Sequence, residues 1–239
     1  MPIDLICLDA DDTLWHNERF FRLTQQRFGD ALRPYADPQT IETRLSEIEH
    51  RNLAVYGYGV KGFTLSMLET ALEVTRGHVP TAIMAEILSA GRELMRHPVD
   101  LLPGVAEALE TLAAMGRLVL VTKGDLFHQE SKLAASGLGA RFSGIEIVSD
   151  KVPETYRRIF ARHGATPGTS LMAGNSVRSD ILPALEAGAH AALIPYELVW
   201  SHEATEAPQG HARFRQLASL GDLPGWLSDL ARTGQDGLS

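Results

Sequence analysis

Asp9-Ala10-Asp11-Asp12-Thr13-Leu14 is the stretch on which the reading of this chain turns. It follows the apolar run Ile3-Asp4-Leu5-Ile6-Cys7-Leu8, which has the length and composition of a buried strand. The chain therefore brings three carboxylates to the end of a core strand. Crowded carboxylates are costly unless a cation or hydrogen bonds compensate them. Such a cluster points to metal binding, proton chemistry, or both. A calcium loop does not fit, because the sixth position is Leu14 rather than Gly and the twelfth is Phe20 rather than Glu.

Beyond the acidic turn the apolar period changes. Phe20, Phe21, Leu23 and Phe28 recur at helical spacing, as do Ile41, Leu45, Ile48 and Leu53. The same holds for Phe63, Leu65, Met67, Leu68, Ala71 and Leu72, and for Ile83, Ile87, Leu88, Leu94 and Met95. This predicts about four packed helices. After Pro98, helices and strands alternate. Strands are predicted at 118–121, 144–148, 170–173 and 189–194, with helices at 103–115, 126–136, 153–163 and 179–187. The segment 201–211 reads as loop, 214–217 as a short strand and 224–231 as a closing helix. Alternation of this kind implies a parallel sheet with right-handed crossovers. The expected fold is α/β: a doubly wound, Rossmann-like parallel-sheet core (1–15 and 98–239) interrupted by an inserted helical cap (16–97).

Composition narrows the function classes. With 239 residues, 44% hydrophobic and 22% charged, the chain has the make-up of a soluble globular protein. No apolar run approaches the length needed to span a bilayer, and no signal-peptide layout opens the chain, so cytoplasmic residence is expected. A net charge of -8 argues against broad nucleic-acid binding. The single cysteine, Cys7, lies in the apolar strand and reads as a core residue. Oligomeric state, monomer or homodimer, is open.

Ligands of doubly wound sheets bind beyond the carboxyl ends of the strands. Four such ends are polar here: Asp9/Asp11/Thr13, Thr122-Lys123-Gly124-Asp125, Ser149-Asp150-Lys151, and Gly174-Asn175-Ser176-Val177-Arg178-Ser179-Asp180. In order, spacing and strand context, these resemble the four motifs of the haloacid dehalogenase (HAD) superfamily of phosphatases. The first is Asp-x-Asp-x-Thr (Asp9, Asp11, Thr13), and the second a Thr or Ser ending an apolar strand (Thr122). The third is a Lys shortly before a helix (Lys151). The fourth is a Gly-Asp-Ser-like turn with a further acid (Gly174-Asn175-Ser176, Asp180).

The resemblance implies a magnesium-dependent phosphatase acting on a small phosphorylated metabolite through a phospho-aspartate. Asp9 would be the nucleophile and Asp11 the acid/base, with Thr13 orienting their loop. Thr122 would hydrogen-bond a phosphoryl oxygen, assisted by main-chain N–H groups such as that of Lys123, and Lys151 would supply the cation that neutralises the phosphoryl group. Asp9, Asp11 through its main-chain carbonyl, Asn175 and Asp180 would hold Mg2+. Asn175 departs from the family, which commonly has Asp there. An amide oxygen can ligate a hard cation but brings no charge. A dehalogenase or phosphonate hydrolase is disfavoured, because Asp11 would have no alkoxide to protonate. A phosphomutase, or a weakly catalytic phosphate-binding regulatory protein, is the alternative.

Within the insert, Tyr56-Gly-Tyr-Gly-Val-Lys-Gly-Phe63 stands out. It reads either as a plain connection or as a substrate-facing loop using Tyr56, Tyr58, Lys61 or Phe63. Trp15, His16 and Asn17 are candidates for lining the cap entrance, and Arg178 for a site or surface role. Asp12 reads as a loop residue. No pair of histidines has metal-ligand spacing.

Overall fold

The computed structural model describes residues 3–198 and 200–236. Six strands form one parallel sheet: β1 (Leu5–Leu8), β2 (Arg117–Lys123), β3 (Gly144–Val148), β4 (Ser170–Gly174), β5 (His190–Leu193) and β6 (Phe214–Gln216). Their spatial order is β3-β2-β1-β4-β5-β6. The chain leaves β1 for one side of the sheet and later crosses to the other. The order of the strands therefore reverses between β1 and β4. In doubly wound sheets this reversal opens the crevice where ligands bind.

Side-chain alternation explains how the sheet is covered on both faces. Ile6 and Leu8 of β1, Leu118 and Leu120 of β2, and Leu171 and Ala173 of β4 enter one core. That core is closed by α5 (Val105–Ala113), α6 (Leu126–Ser136) and α9 (Leu223–Asp236), with Leu109, Leu133 and Trp226 prominent. Leu5, Cys7, Val119, Val121 and Met172 enter the opposite core. There they meet Tyr156, Ile159 and Phe160 of α7 (Pro153–Arg162) and Ala184 of α8 (Leu182–Glu186). Burial, reinforced by Glu146, pushes the Cys7 thiol up to about 12. Cys7 is a packing residue.

The chain divides into two compact units. One comprises residues 1–16, 99–123 and 130–239; the other comprises 17–98 together with 124–129. The second is helical: α1 (Glu18–Leu32), α2 (Pro38–Tyr56), α3 (Val60–Val74) and α4 (Thr81–Met95). Asp37 caps α2 by accepting the Thr40 N–H at 2.9 Å, with Pro38 at the first helical position. Phe28, Leu32, Leu45, Phe63, Met67, Ile87 and Leu94 form its core. Not every apolar residue at helical spacing joins it: Leu23 is 61% exposed and Leu72 48%.

Some predicted boundaries shift for local reasons. The helix expected from 103 begins at Val105, because Gly104 takes a left-handed conformation (φ +74°). The helix expected over 179–187 is a five-residue π-turn (Val177–Ile181) running into the short α8. A single 3-10 turn, Ser201–Glu203, lies in the segment read as loop.

Gly91 of α4 is required by Thr64 of α3: a Cβ there would lie 2.4 Å from Thr64 Oγ1 and 3.0 Å from its Cγ2. Thr64 has little rotamer freedom to yield, since it donates to the Val60 carbonyl at 2.7 Å. We predict that Gly91→Ala costs about 1–3 kcal/mol by overpacking. Adding Thr64→Ser, which removes Cγ2, should recover less than adding Thr64→Ala. Chemical denaturation of the three variants checks this, and a neutral Gly91→Ala would refute the contact.

Candidate active site

The loop after β1 is built by its main chain. Asp9 N–H donates to Ala173 of β4 at 2.9 Å, which fixes the start of the loop at the sheet crevice. The Ala10 carbonyl then accepts the N–H groups of Leu14 (2.8 Å) and Thr13 (3.3 Å), while Asp12 N–H donates to Trp15 at 2.8 Å. The turn requires φ +61° at Asp12, a conformation that Asp tolerates better than most side chains. Asp12 thus has a backbone role in the turn. Gly174, across the crevice at the end of β4, has no room for a side chain. A Cβ there would lie 2.2 Å from Asp180 Oδ2 and 2.9 Å from the Asp9 Cβ.

A buried charge cluster occupies the crevice. Lys151 Nζ donates to Asp9 Oδ1 at 2.5 Å and to Asp180 Oδ1 at 2.7 Å, with its side chain 2% exposed. Asp180 Oδ2 accepts the Ser176 N–H at 3.0 Å, so both Asp180 oxygens are engaged. Thr13 Oγ1 donates to Asp9 Oδ2 at 3.0 Å. Burial alone would push the Lys151 ammonium down; Asp180 and Asp9 more than reverse this and hold it raised. Burial pushes the Asp9 carboxyl up, to about 7, against the pull of Lys151 and with Asp180 adding to the rise. One ammonium thus faces two carboxylates, leaving the cluster short of positive charge.

Asn175 bears on where a cation would sit. One end of its amide lies 3.3 Å from Asp9 Oδ2 and 3.2 Å from the Asp11 main-chain carbonyl. With nitrogen at that end, the amide donates to both. With oxygen there, it accepts from Thr13 Oγ1 at 3.3 Å, and three oxygens converge. Neighbouring ligands of an octahedral magnesium ion, at about 2.1 Å from the metal, are about 3 Å apart, which the two separations from the Asn175 amide approach. Among the described residues no group of three His, Cys, Asp or Glu side chains could hold a metal ion. The candidate donors therefore include a main-chain carbonyl and an amide.

The remaining predicted residues divide. Thr122, at the end of β2, is buried, and its hydroxyl reaches the Lys123 carbonyl at 3.4 Å. The Lys123 ammonium pairs with Glu203 and donates to Ser179 Oγ at 2.7 Å, which does not bear on the role expected of its main-chain N–H. Glu203 also accepts from the hydroxyls of Ser176 and Ser179. Burial pushes the Glu203 carboxyl up, but Lys123 and the Ser176 and Ser179 hydroxyls together outweigh it and hold the carboxyl below the ordinary glutamate range. Arg178 donates to the His202 carbonyl at 2.6 Å, and His16 Nδ1 meets Tyr196 OH at 2.6 Å. Asp11 Oδ1 accepts from Trp15 Nε1 at 2.7 Å and from Lys132 Nζ at 2.5 Å.

In the helical unit, only Gly57–Gly59 separate α2 from α3. Tyr56 OH reaches Glu69 at 3.3 Å, Lys61 pairs with Asp125 at 2.7 Å, and Tyr58 is half-buried. Phe63, a candidate for a substrate-facing loop, is instead a core residue. It is 5% exposed with its ring 5.2 Å from that of Phe21, because α3 has already begun at Val60. Glu203 and Lys132 were not identifiable as site residues from sequence. Neither carries a motif, and each reaches the site only through the tertiary fold.

A family profile for haloacid dehalogenase-like hydrolases matches residues 3–188. The crystal structure of a haloacid dehalogenase-like hydrolase from Xanthomonas campestris is 38% identical with a TM-score of 0.88, covering 98% of this chain and 95% of that one. The putative HAD-hydrolase YfnB from Bacillus subtilis, solved bound to magnesium, is 16% identical with a TM-score of 0.67, covering 95% and 99%. A 2-haloacid dehalogenase from Pseudomonas syringae pv. Tomato is 18% identical with a TM-score of 0.62, covering 95% and 99%. The last two similarities are of fold alone. No curated protein sequence gives a significant match. By the profile across most of its length and by the similarity to the Xanthomonas protein, this chain belongs to the haloacid dehalogenase-like hydrolase family.

Proposed function

We propose that this hydrolase is a magnesium-dependent phosphatase acting on a small phosphorylated molecule. The observation that carries the reading is the second carboxylate. Asp11 stands two residues after the candidate nucleophile Asp9, held by two N–H donors. Displacing a halide needs no proton donor, whereas expelling an alkoxide from a phosphomonoester does. A site with both a carboxylate nucleophile and a fixed second carboxyl suits the phosphoester.

In this reading Asp9 attacks phosphorus through Oδ1, the oxygen that faces Lys151, because Oδ2 belongs to the three-oxygen set beside Asn175. The phosphorus–oxygen bond to the leaving group breaks as Asp11 gives that oxygen its proton. Water then attacks phosphorus; Asp11 takes the water's proton, the bond to Asp9 breaks, and inorganic phosphate leaves. Lys151 offsets charge on Asp9 and the transferring group throughout, and Asp180 fixes Lys151. Thr122 would hydrogen-bond a phosphoryl oxygen. Asp9 Oδ2, the Asp11 carbonyl and Asn175 would hold magnesium, which when bound neutralises phosphoryl oxygens. Asp180 would supply the acidic contribution of this turn to the metal, directly or through water, since its hydrogen bonds to Lys151 and to the Ser176 N–H leave lone pairs on both oxygens.

Two predictions test this reading. Purified protein should hydrolyse 4-nitrophenyl phosphate only with a divalent cation present, and Asp9→Asn should lower turnover by at least ~10³-fold. Turnover that survives EDTA, or release of chloride from a 2-chloroalkanoate in place of phosphatase activity, would overturn it. Second, Asn175→Asp should tighten magnesium binding about tenfold, or ~1.4 kcal/mol, in isothermal titration calorimetry of the free protein. An unchanged or weaker affinity would remove Asn175 from the ligand set.

A further inference from the structure

Lys132, one of the two donors that hold Asp11, takes no chemical step in the mechanism above, yet it is one of the more confined lysines of the chain. It lies on α6, nine residues beyond the end of β2, with its side chain 11% exposed. Lysine ordinarily keeps its ammonium in water, so confinement of this kind commits the group to a partner. The partner is Asp11 Oδ1, at 2.5 Å. The same oxygen accepts Trp15 Nε1 at 2.7 Å.

Trp15 is itself immobile. It is 1% exposed, its carbonyl accepts the Asp12 N–H, and it bridges to Asp11 on one side and Leu101 on the other. A buried indole N–H needs an acceptor, and here Asp11 provides it. Asp11 is thus gripped from two sides by donors on separate elements, one in the β1 loop and one on α6. A single donor would leave the carboxyl able to rotate about it; two donors on one oxygen fix the carboxyl plane.

We propose that Lys132, together with Trp15, is a positioning residue that sets the Asp11 carboxyl for proton transfer to the leaving group. The inference rests on the phosphatase reading and deepens it. It makes a demand that a merely structural ion pair does not. Misplacing Asp11 should hurt most where the leaving group most needs a proton, and should leave phosphoryl binding by Thr122 and Lys151 in place.

The test compares kcat/KM for an aryl phosphate, whose phenolate leaves readily, with that for an alkyl phosphate, whose alkoxide does not. Wild-type protein, Lys132→Met, Lys132→Arg and Trp15→Phe are each measured, with thermal melting as a control on folding. In Lys132→Met, kcat/KM for the alkyl ester should fall about tenfold further than for the aryl ester. The loss should appear in kcat with KM for the alkyl ester within about twofold of wild type. Lys132→Arg should recover much of the difference, and Trp15→Phe should shift it in the same direction. Equal losses on both esters, a loss confined to KM, or no rescue by arginine would overturn the proposal while leaving the phosphatase reading intact. Wild-type protein that cleaves neither ester would overturn the phosphatase reading, and the positioning role with it. Should Lys132→Met fail to fold, Lys132→Arg and Trp15→Phe decide by the same ratio.

Discussion

The ammonium of Lys151, closed between Asp9 and Asp180, ties together segments that follow three separate strands of the sheet. Burying three ionised groups is expensive, and ion pairs of this kind are weak contributors to stability; breaking one by removing a partner costs about 3–5 kcal/mol. The fold meets that cost by bringing three strand ends to one point. Asp9 comes from β1, Asp180 follows β4, and Lys151 follows β3 at the sheet edge. Gly174 permits the closest of these approaches, and Ser176 N–H engages the Asp180 oxygen that Lys151 does not. With one cation for two carboxylates, the cluster favours additional positive charge, and the oxygens beside Asn175 lie where a hard cation could supply it.

A second polar layer surrounds this cluster, and its logic is different. Glu203 holds Lys123 and two serine hydroxyls, while Lys132 and Trp15 hold Asp11. In each case a group that could turn freely is fixed by donors or acceptors from another element. Lys123 is the instructive case. Its main-chain N–H follows the second-motif strand, where a phosphate ligand is expected, while its ammonium is engaged by Glu203 and Ser179. Spacing along the chain selects which residues arrive at the sheet edge; it does not say which of them have already been neutralised there.

The Rossmann-like sheet was legible because its signals are local: an apolar run of four to seven residues, a polar end, and then a helix. The same locality accounts for the shifts, since Gly104 delays α5 and the turn at 177–181 takes the start of α8. Asp9, Thr13, Lys151, Asn175 and Asp180 could be read from sequence because each stands at a strand end, and they meet in one network of hydrogen bonds. Lys132 and Glu203 could not. The first lies 121 residues from Asp11 and the second 80 residues from Lys123, so nothing near either one in sequence announces its partner. Phe63 was misleading for a related reason. An aromatic residue near glycines resembles a loop, but helix α3 had already started and turned it inward.

The grouping of residues 124–129 with the helical unit has a consequence for how this architecture can be altered. The chain passes between the two units four times, at 16/17, 98/99, 123/124 and 129/130. The helices are therefore not a cassette with two joints. Asp125 N lies 3.3 Å from where a Cβ on Gly59 would be, and Lys61 pairs with the Asp125 carboxylate. A helical domain transplanted from a relative as 17–98 alone would separate these partners and leave a mismatched turn immediately after Thr122 and Lys123. Recombination that respects the structure must exchange two pieces of chain together. The short one, six residues long, follows directly on a strand that carries candidate catalytic groups.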